Sequence, residues 1–337
     1  MLAAEEFKRR DFIRTGAIAT LGMAILPSLN AMASTLKDIK IGIIGLDTSH
    51  SVAFTKLLNA RPALSGHEGV KVIAAFPARG SNIESNINRL PGFVAEIKNL
   101  GVQIVDSMEE LLQQSDVILL ESNDGRMRCE QVLQVLQSGK PMFMDKPVAS
   151  SLRDVIRIYK AAESYKVPVY STSLLRYIVN FSEIEKQGKI QGAFTYSPAM
   201  IEETHPDLFW YGIHGIEMVY KIMGTGCKSV SRISTPDTDI VTGIWENGRI
   251  GTFRGIRKGS KDFGGTVFTE KQIIEIVAPN DYGPLISEIV NFFKTGVVPV
   301  QPTETIEIYA FMEAADESKR QGGKSINLAD IVAAAVN

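Results

Sequence analysis

Three short stretches of the chain carry side chains that can do chemistry. Asp145-Lys146-Pro147 closes the apolar run Pro141 to Met144 and sets an ammonium at its end. His214 follows the aromatic segment Phe209-Trp210-Tyr211, and an imidazole with its ordinary pKa of about 6.5 suits proton exchange. Gly45-Leu46-Asp47-Thr48-Ser49-His50 joins an apolar run to a helical pattern. A glycine turn that opens a helix presents free backbone N–H groups to an anion such as pyrophosphate, and Ser49 and Ser51 can cap that helix.

The elements that must position these residues follow from periodicity. Ile39 to Gly45, Val70 to Ala75, Val102 to Val105, Val117 to Glu121 and Pro141 to Met144 are short apolar runs suited to buried parallel strands. Helical patterns separate them at His50–Asn59, Phe93–Asn99, Met108–Gln114 and Cys129–Ser138, the last closed by Gly139. The alternation predicts a doubly wound parallel sheet with right-handed crossovers. A helix over Leu152–Ser164 and a strand over Val167–Ser171 come next.

Beyond Gly192 the runs lengthen: Phe194–Met200, Ser229–Ser234, Asp239–Trp245, Gly251–Gly255 and Gln272–Val277 read as strands joined by turns such as Glu246-Asn247-Gly248. Tyr211–Met223, Pro284–Thr295 and Pro302–Gln321 read as helices, the last two free to pack on either domain. The expected class is α/β: a doubly wound parallel sheet over residues 38–148, then an α+β domain over 149–337 with an open, largely antiparallel or mixed sheet.

In such a sheet ligands bind outside the carboxyl ends of the strands where crossover direction reverses, which nominates loops 45–51, 121–126 and 145–148. The first departs from the dinucleotide pattern G-x-G-x-x-G, because Asp47 holds the second glycine's place and His50 the third's. A carboxylate at the second place repels phosphate unless it turns away. The second strand leads into Phe76-Pro77 rather than an acidic residue for a ribose hydroxyl, with Arg79 shortly after.

The first 33 residues differ in kind. Lys8, Arg9 and Arg10 precede Phe12-Ile13, an apolar stretch runs from Thr15 to Leu29, and Ala31-Met32-Ala33 offers a small-x-small cleavage site. Arg9-Arg10 with Phe-Ile resembles a twin-arginine export signal, which implies passage through that machinery in folded form, cleavage near Ala33 and a periplasmic location. An ordinary Sec signal or an uncleaved amphipathic helix is the plainer alternative. The apolar stretch is shorter than the roughly 20 residues a spanning helix needs, so no stable membrane insertion is expected.

The chain has 337 residues, 45% of them hydrophobic and 22% charged, with a formal charge of −2. That balance suits a soluble two-domain protein and gives no reason to expect nucleic acid. Cys129 and Cys227 have no spacing that suggests a pair, and two buried free thiols are expected.

As a whole, residues 38 to the C-terminus resemble the glucose–fructose oxidoreductase / inositol dehydrogenase / rhizopine catabolism (Gfo/Idh/MocA) family. Three passages carry the resemblance: Lys40 to His50 (KIGIIGLDTSH), Ser138 to Pro147 (SGKPMFMDKP) with Asp145 replacing a glutamate, and Trp210 to His214 (WYGIH) with Trp210 replacing an aspartate. The resemblance implies a Rossmann-type first domain, NAD or NADP as cofactor, oxidation or reduction of a sugar or cyclitol carbon, and a homo-oligomer formed through the open sheet. The family's name-giving glucose–fructose enzyme is exported with its cofactor held tightly, and the resemblance implies the same here. Hydride transfer from a secondary alcohol needs a base for the hydroxyl proton and a donor at the developing alkoxide. By resemblance Lys146 and His214 are those catalytic groups. Gly45, Leu46, Thr48, Ser49, His50, Ser122, Asn123 and Lys146 would contact the cofactor, with Asn123 reaching the ribose, and Arg126 stands where a histidine is common.

For the substrate, Arg176 and Tyr177 are expected to line the pocket, Trp210 and Tyr211 to stack on a sugar ring, and His205 and Asp207 to contact hydroxyls. His205, Asp207, His214 and Glu217 also form a set that could take a divalent metal, but hydroxyl contacts and structural hydrogen bonds are the plainer reading, and no metal is expected. The expectation is an exported sugar, glycoside or cyclitol oxidoreductase. The alternative is a non-redox periplasmic sugar-binding protein on the same fold, with a carbohydrate as ligand in both cases.

Overall fold

The computed structural model describes residues 38–336, so the expected export signal and the expected cleavage near Ala33 lie outside the described residues. The first sheet contains β1 (Ile39–Ile44), β2 (Val70–Phe76), β3 (Gln103–Ile104), β4 (Val117–Leu120), β5 (Met142–Met144) and β6 (Val169–Ser171). Its order is β3-β2-β1-β4-β5-β6, with every neighbouring pair parallel. This is the doubly wound order whose winding reverses between β1 and β4. The sixth strand takes this sheet past the expected boundary at residue 148.

Its helices are α1 (Ser49–Leu58), α2 (Glu84–Asn99), α3 (Met108–Gln114), α4 (Gly125–Gln137) and α5 (Leu152–Tyr165). The strands read as unbroken apolar runs because both faces of the sheet are covered. Ile41, Ile43, Val117 and Leu119 enter one buried cluster with α1, while Ile44, Ile118 and Leu120 enter the other with α4 and α5. Helix α2 begins nine residues before the expected Phe93 and runs through Pro91.

After α6 (Phe181–Glu185) the second sheet is built from β7 (Ile190–Pro198), β8 (Cys227–Ser234), β9 (Thr238–Trp245), β10 (Ile250–Ile256), β11 (Gly264–Thr269), β12 (Ile273–Ile276) and β13 (Ile326–Asn327). The order is β12-β11-β7-β10-β9-β8-β13; β7 and β10 are parallel and the other neighbours antiparallel, which makes the sheet mixed. Five more helices complete the described chain: α7 (Asp207–Trp210), α8 (Ile213–Met223), α9 (Gly283–Thr295) and α10 (Pro302–Arg320), with α11 (Leu328–Val336) after β13.

One face of the second sheet is covered by α8 and α10, and the other leaves Ile233, Ile244, Ile250, Phe268 and Ile273 exposed. Helix α9 packs back on the first sheet, where Phe292 meets Tyr170 edge-on at 4.9 Å. Tyr309 of α10 accepts the backbone N–H of Val148 at 2.5 Å, which holds the chain just after β5. Cys129 and Cys227 are free and buried, and burial raises their thiol pKa values to about 11 and about 12. Among the described residues no helix is long and apolar enough to cross a membrane.

Candidate active site

The ligand loops meet where β1 and β4 end. Gly45 turns the chain with φ +93°, and a Cβ there would stand 2.2 Å from the backbone nitrogen of Ser122. Glycine alone lets the β1–α1 loop lie so close to the β4–α4 loop. Leu46 is fully buried in the core. Asp47 turns inward, and its Oδ1 accepts the backbone N–H of Asn123 at 2.9 Å. Burial raises the Asp47 pKa against the lowering effect of that bond. Thr48 caps α1, its Oγ1 accepting from His50 N at 3.4 Å, and Ser49 is exposed at the helix start.

The second loop is fastened from within. Ser122 Oγ donates to Gln131 Oε1 at 2.6 Å, and Asn123 Nδ2 donates to Asn86 Oδ1 at 3.1 Å. Arg126 pairs with Asp124 at 2.6 Å. Arg128, fully buried, donates to the carbonyls of Ser122, Leu120 and Asp145, and so clamps this loop to the end of β5. His205 Nε2 accepts the N–H of Gly125 at 2.9 Å, tying the start of α4 to the second domain.

At the third loop Asp145 Oδ2 lies 2.6 Å from His50 Nδ1, so the N-terminal turn of α1 is joined to the end of β5. Burial works to raise the Asp145 pKa, but His50, Lys146 and Arg128 hold it well below the carboxylate range. The His50 ring stacks on Phe54 at 5.4 Å and meets Tyr282 edge-on at 5.1 Å. Lys146 is buried, and burial lowers its pKa despite the neighbouring Asp145.

A cleft of about 1010 Å³ opens beside these loops. His50, Tyr211 and His214 face it, with Leu174, Phe263 and Tyr282 among its walls. His214 Nδ1 lies 2.6 Å from Ser173 Oγ, and its ring meets Tyr211 at 5.0 Å. Burial first, then Lys146 and His50, hold the His214 pKa well below its ordinary value, so the imidazole is neutral at neutral pH. Its helix is set close to the sheet: Gly215 leaves no room for a Cβ, which would stand 2.2 Å from Phe253 Cε2.

The other residues expected at the cleft have different partners. Arg176 pairs with Glu217 at 3.2 Å and with Glu304, and Tyr177 packs half-buried against the core of the first sheet. Asp207 pairs with Arg232 at 2.8 Å and Lys319 at 2.6 Å. Trp210 packs on His205 with ring centroids 5.0 Å apart. Ion pairing leaves Arg176 and Asp207 no charge free for a ligand. Ion pairs and hydrogen bonds also send His205, Asp207, His214 and Glu217 to separate partners rather than to one point. Sequence reading placed Glu121 and Asp145 in the ligand loops without a role, and missed Arg128 and Tyr282 at the site. Two charged residues at the ends of otherwise apolar runs, Glu121 after β4 and Asp145 after β5, were the available signal.

A dinucleotide's phosphates suit this arrangement. The Gly45 turn is present, the N-terminus of α1 opens at the strand ends, and the Asp47 carboxyl is drawn down to Asn123 instead of standing over that N-terminus. Asp47 and His50 are the departures from the glycine pattern.

Fold and loops thus define an enzyme domain of the dinucleotide-binding class, joined to a mixed-sheet domain. Residues 39–173 match the model of the Gfo/Idh/MocA oxidoreductase family, NAD-binding Rossmann fold. The chain is an NAD(P)-dependent oxidoreductase. No curated protein matches the sequence.

Solved structures share the fold across both domains. Scyllo-inositol dehydrogenase from Lactobacillus casei, with bound NAD(H) and scyllo-inositol, has a TM-score of 0.68 at 15% identity over 87% of this chain and 100% of that one. Myo-inositol 2-dehydrogenase from Lactobacillus plantarum gives 0.69 at 16% identity over 86% and 99%. GenD2 from gentamicin A biosynthesis, in complex with NAD, gives 0.68 at 13% identity over 91% and 99%.

Proposed function

We propose that the protein oxidises or reduces a secondary hydroxyl of a sugar, glycoside or cyclitol, as an exported enzyme that keeps its NAD(P) bound and recycles it. The observation that carries this reading is the convergence of His214 and Tyr211 on one cleft beside Lys146, at the ends of the strands. The inositol dehydrogenases among the structural neighbours support the substrate class.

The nicotinamide, when bound, supplies the hydride acceptor. Lys146 would hold the substrate oxygen and stabilise the alkoxide as charge develops. In the tautomer whose Nδ1–H donates to Ser173 Oγ, His214 presents Nε2 as acceptor for the hydroxyl proton. Tyr211 walls the cleft beside it. Export and retention of the cofactor rest on Arg9-Arg10 and the apolar stretch after them, and assembly through the second sheet on its exposed Ile233, Ile250 and Ile273.

The test is mass spectrometry of small molecules released on denaturing the mature protein, followed by a panel of sugars and cyclitols read by NAD(P)H absorbance. Bound NAD(P) and reduction by a panel member are expected. A protein that is empty and binds no added NAD(P) would overturn the redox reading and leave the sugar-binding alternative.

A further inference from the structure

Glu121 has no part in the chemistry so far. It follows the last residue of β4, is fully buried, and neither of its carboxylate oxygens has a hydrogen-bond partner among the described residues. Buried polar groups are nearly always paired, and an unpaired buried carboxylate is among the costliest exceptions. The nearby cations do not supply the partner. Arg128 gives its guanidinium to the carbonyls of Ser122, Leu120 and Asp145, and no hydrogen bond joins Lys146 to Glu121. Asp145 adds a second buried carboxylate, with His50 beside it at 2.6 Å. One ligand atom from each of His50, Glu121 and Asp145 lies within 4.8 Å of the others.

We propose that His50, Glu121 and Asp145 bind a divalent first-row transition cation of the Zn2+ or Mn2+ type at the carboxyl edge of the parallel sheet. Three separate elements deliver the donors: α1, the end of β4 and the end of β5. An imidazole nitrogen with two carboxylates suits such a cation better than Mg2+ or Ca2+, which favour all-oxygen sites. Two carboxylates neutralise its charge, and the ion becomes the partner that Glu121 lacks. Three protein ligands leave a coordination position open. Ligand atoms around zinc stand roughly 3–3.5 Å apart, given bonds of about 2.0–2.2 Å, so binding requires that the Glu121 side chain close up and that His50 and Asp145, now 2.6 Å apart, open slightly and give up the proton between them. Phe54 and Tyr282 hold the imidazole plane, and Arg128 holds the backbone of Asp145, as outer supports of a metal site do. This inference goes beyond the dinucleotide reading and does not rest on it.

The test uses untagged full-length mature protein, stripped with EDTA and equilibrated with Zn2+, Mn2+ or Mg2+. Metal content by plasma mass spectrometry and thermal melting are read on the same samples, with NAD(H) binding measured separately. The expected result is one Zn2+ or Mn2+ per chain and a raised Tm, with no response to Mg2+. Glu121→Gln and Asp145→Asn should weaken binding at least about tenfold. If those variants do not fold, the visible spectrum of the Co2+-loaded wild type decides, through its nitrogen–oxygen ligand pattern. Wild-type protein that retains no metal and shows no shift in Tm overturns the site and leaves Glu121 protonated. Undiminished binding by Glu121→Gln, or a thiolate spectrum, overturns it too, by placing the metal elsewhere.

Discussion

Asp47 Oδ1 accepts the backbone N–H of Asn123 at 2.9 Å, so a side chain of the first ligand loop pairs the main chain of the second. The residue that breaks the glycine pattern therefore has a structural task. Asp47→Ala orphans the Asn123 N–H and should lower stability by about 1–3 kcal/mol, whereas Asp47→Asn keeps an acceptor and should cost under about 1 kcal/mol. Urea unfolding of the two variants checks this. Equal losses would mean that the negative charge, not the bond, is what matters.

Gly45 tests the approach of the same two loops. Its φ of +93° and the 2.2 Å from a Cβ to Ser122 N make Gly45→Ala strained in conformation and in contact at once. The loss should be about 3 kcal/mol or more, with cofactor binding lost as well. Gly139→Ala is the control: φ is +71° there but nothing lies within 4 Å of the added carbon, so only the conformational cost of about 1 kcal/mol applies. Melting curves with and without NAD(P) separate the two.

The strands of the first sheet were legible because burial on both faces makes them continuous apolar runs, as in Val117–Leu120 with all four residues buried. The switch-point rule then located the loops before any partner was known. What stayed hidden was long-range pairing. His50 and Asp145 are 95 positions apart, and Asp47 and Asn123 are 76. Arg176 and Asp207 look free in the sequence because Glu217, Glu304 and Arg232, which hold them, come from other elements. Strand β11 escaped because Gly264-Gly265 removes the apolar signal, and α2 because Pro91 reads as a stop inside it. Glycines at such strand positions serve close packing, which no local pattern reports.

Glu217 and His214 lie on the same helix and pull stability in opposite directions with pH. Arg176 serves two carboxylates, Glu217 and Glu304, and burial raises the Glu217 pKa from 4.5 to about 7 in spite of it. The folded protein thus holds this proton where the unfolded chain has released it. Its stabilising contribution is complete below about pH 4.5 and is lost as pH rises through about 7, by at most about 3 kcal/mol. Glu217→Gln should therefore gain stability relative to wild type as pH rises through that window. His214 does the reverse, since its lowered pKa costs stability as pH falls below about 6.5. Denaturant midpoints from pH 4 to 8 for wild type, Glu217→Gln and His214→Gln read both slopes. A flat Glu217→Gln difference would show that the ion pair with Arg176 keeps Glu217 charged.

Gly215 governs how closely His214 approaches the cleft. An added Cβ would stand 2.2 Å from Phe253 Cε2, and Thr195 Oγ1 donates to the Gly215 carbonyl at 2.9 Å, so α8 can neither accept a methyl group nor slide freely. Gly215→Ala must push α8 off β10 and carry His214 with it. A proton acceptor displaced by even about 1 Å can lose on the order of 100-fold in rate. The expected effect is a 10- to 100-fold fall in kcat, roughly, with KM little changed and stability lower by about 1–3 kcal/mol. His214→Gln, which removes the acceptor outright, should cost about 100- to 10,000-fold. The second change Phe253→Leu makes room for the methyl group and should return part of the lost rate in the Gly215→Ala background. Kinetics by NAD(P)H absorbance, on the substrate that the panel identifies, decide the matter. A Gly215→Ala enzyme with normal kcat would show that His214 does not move the proton, because its position would then have no bearing on the rate.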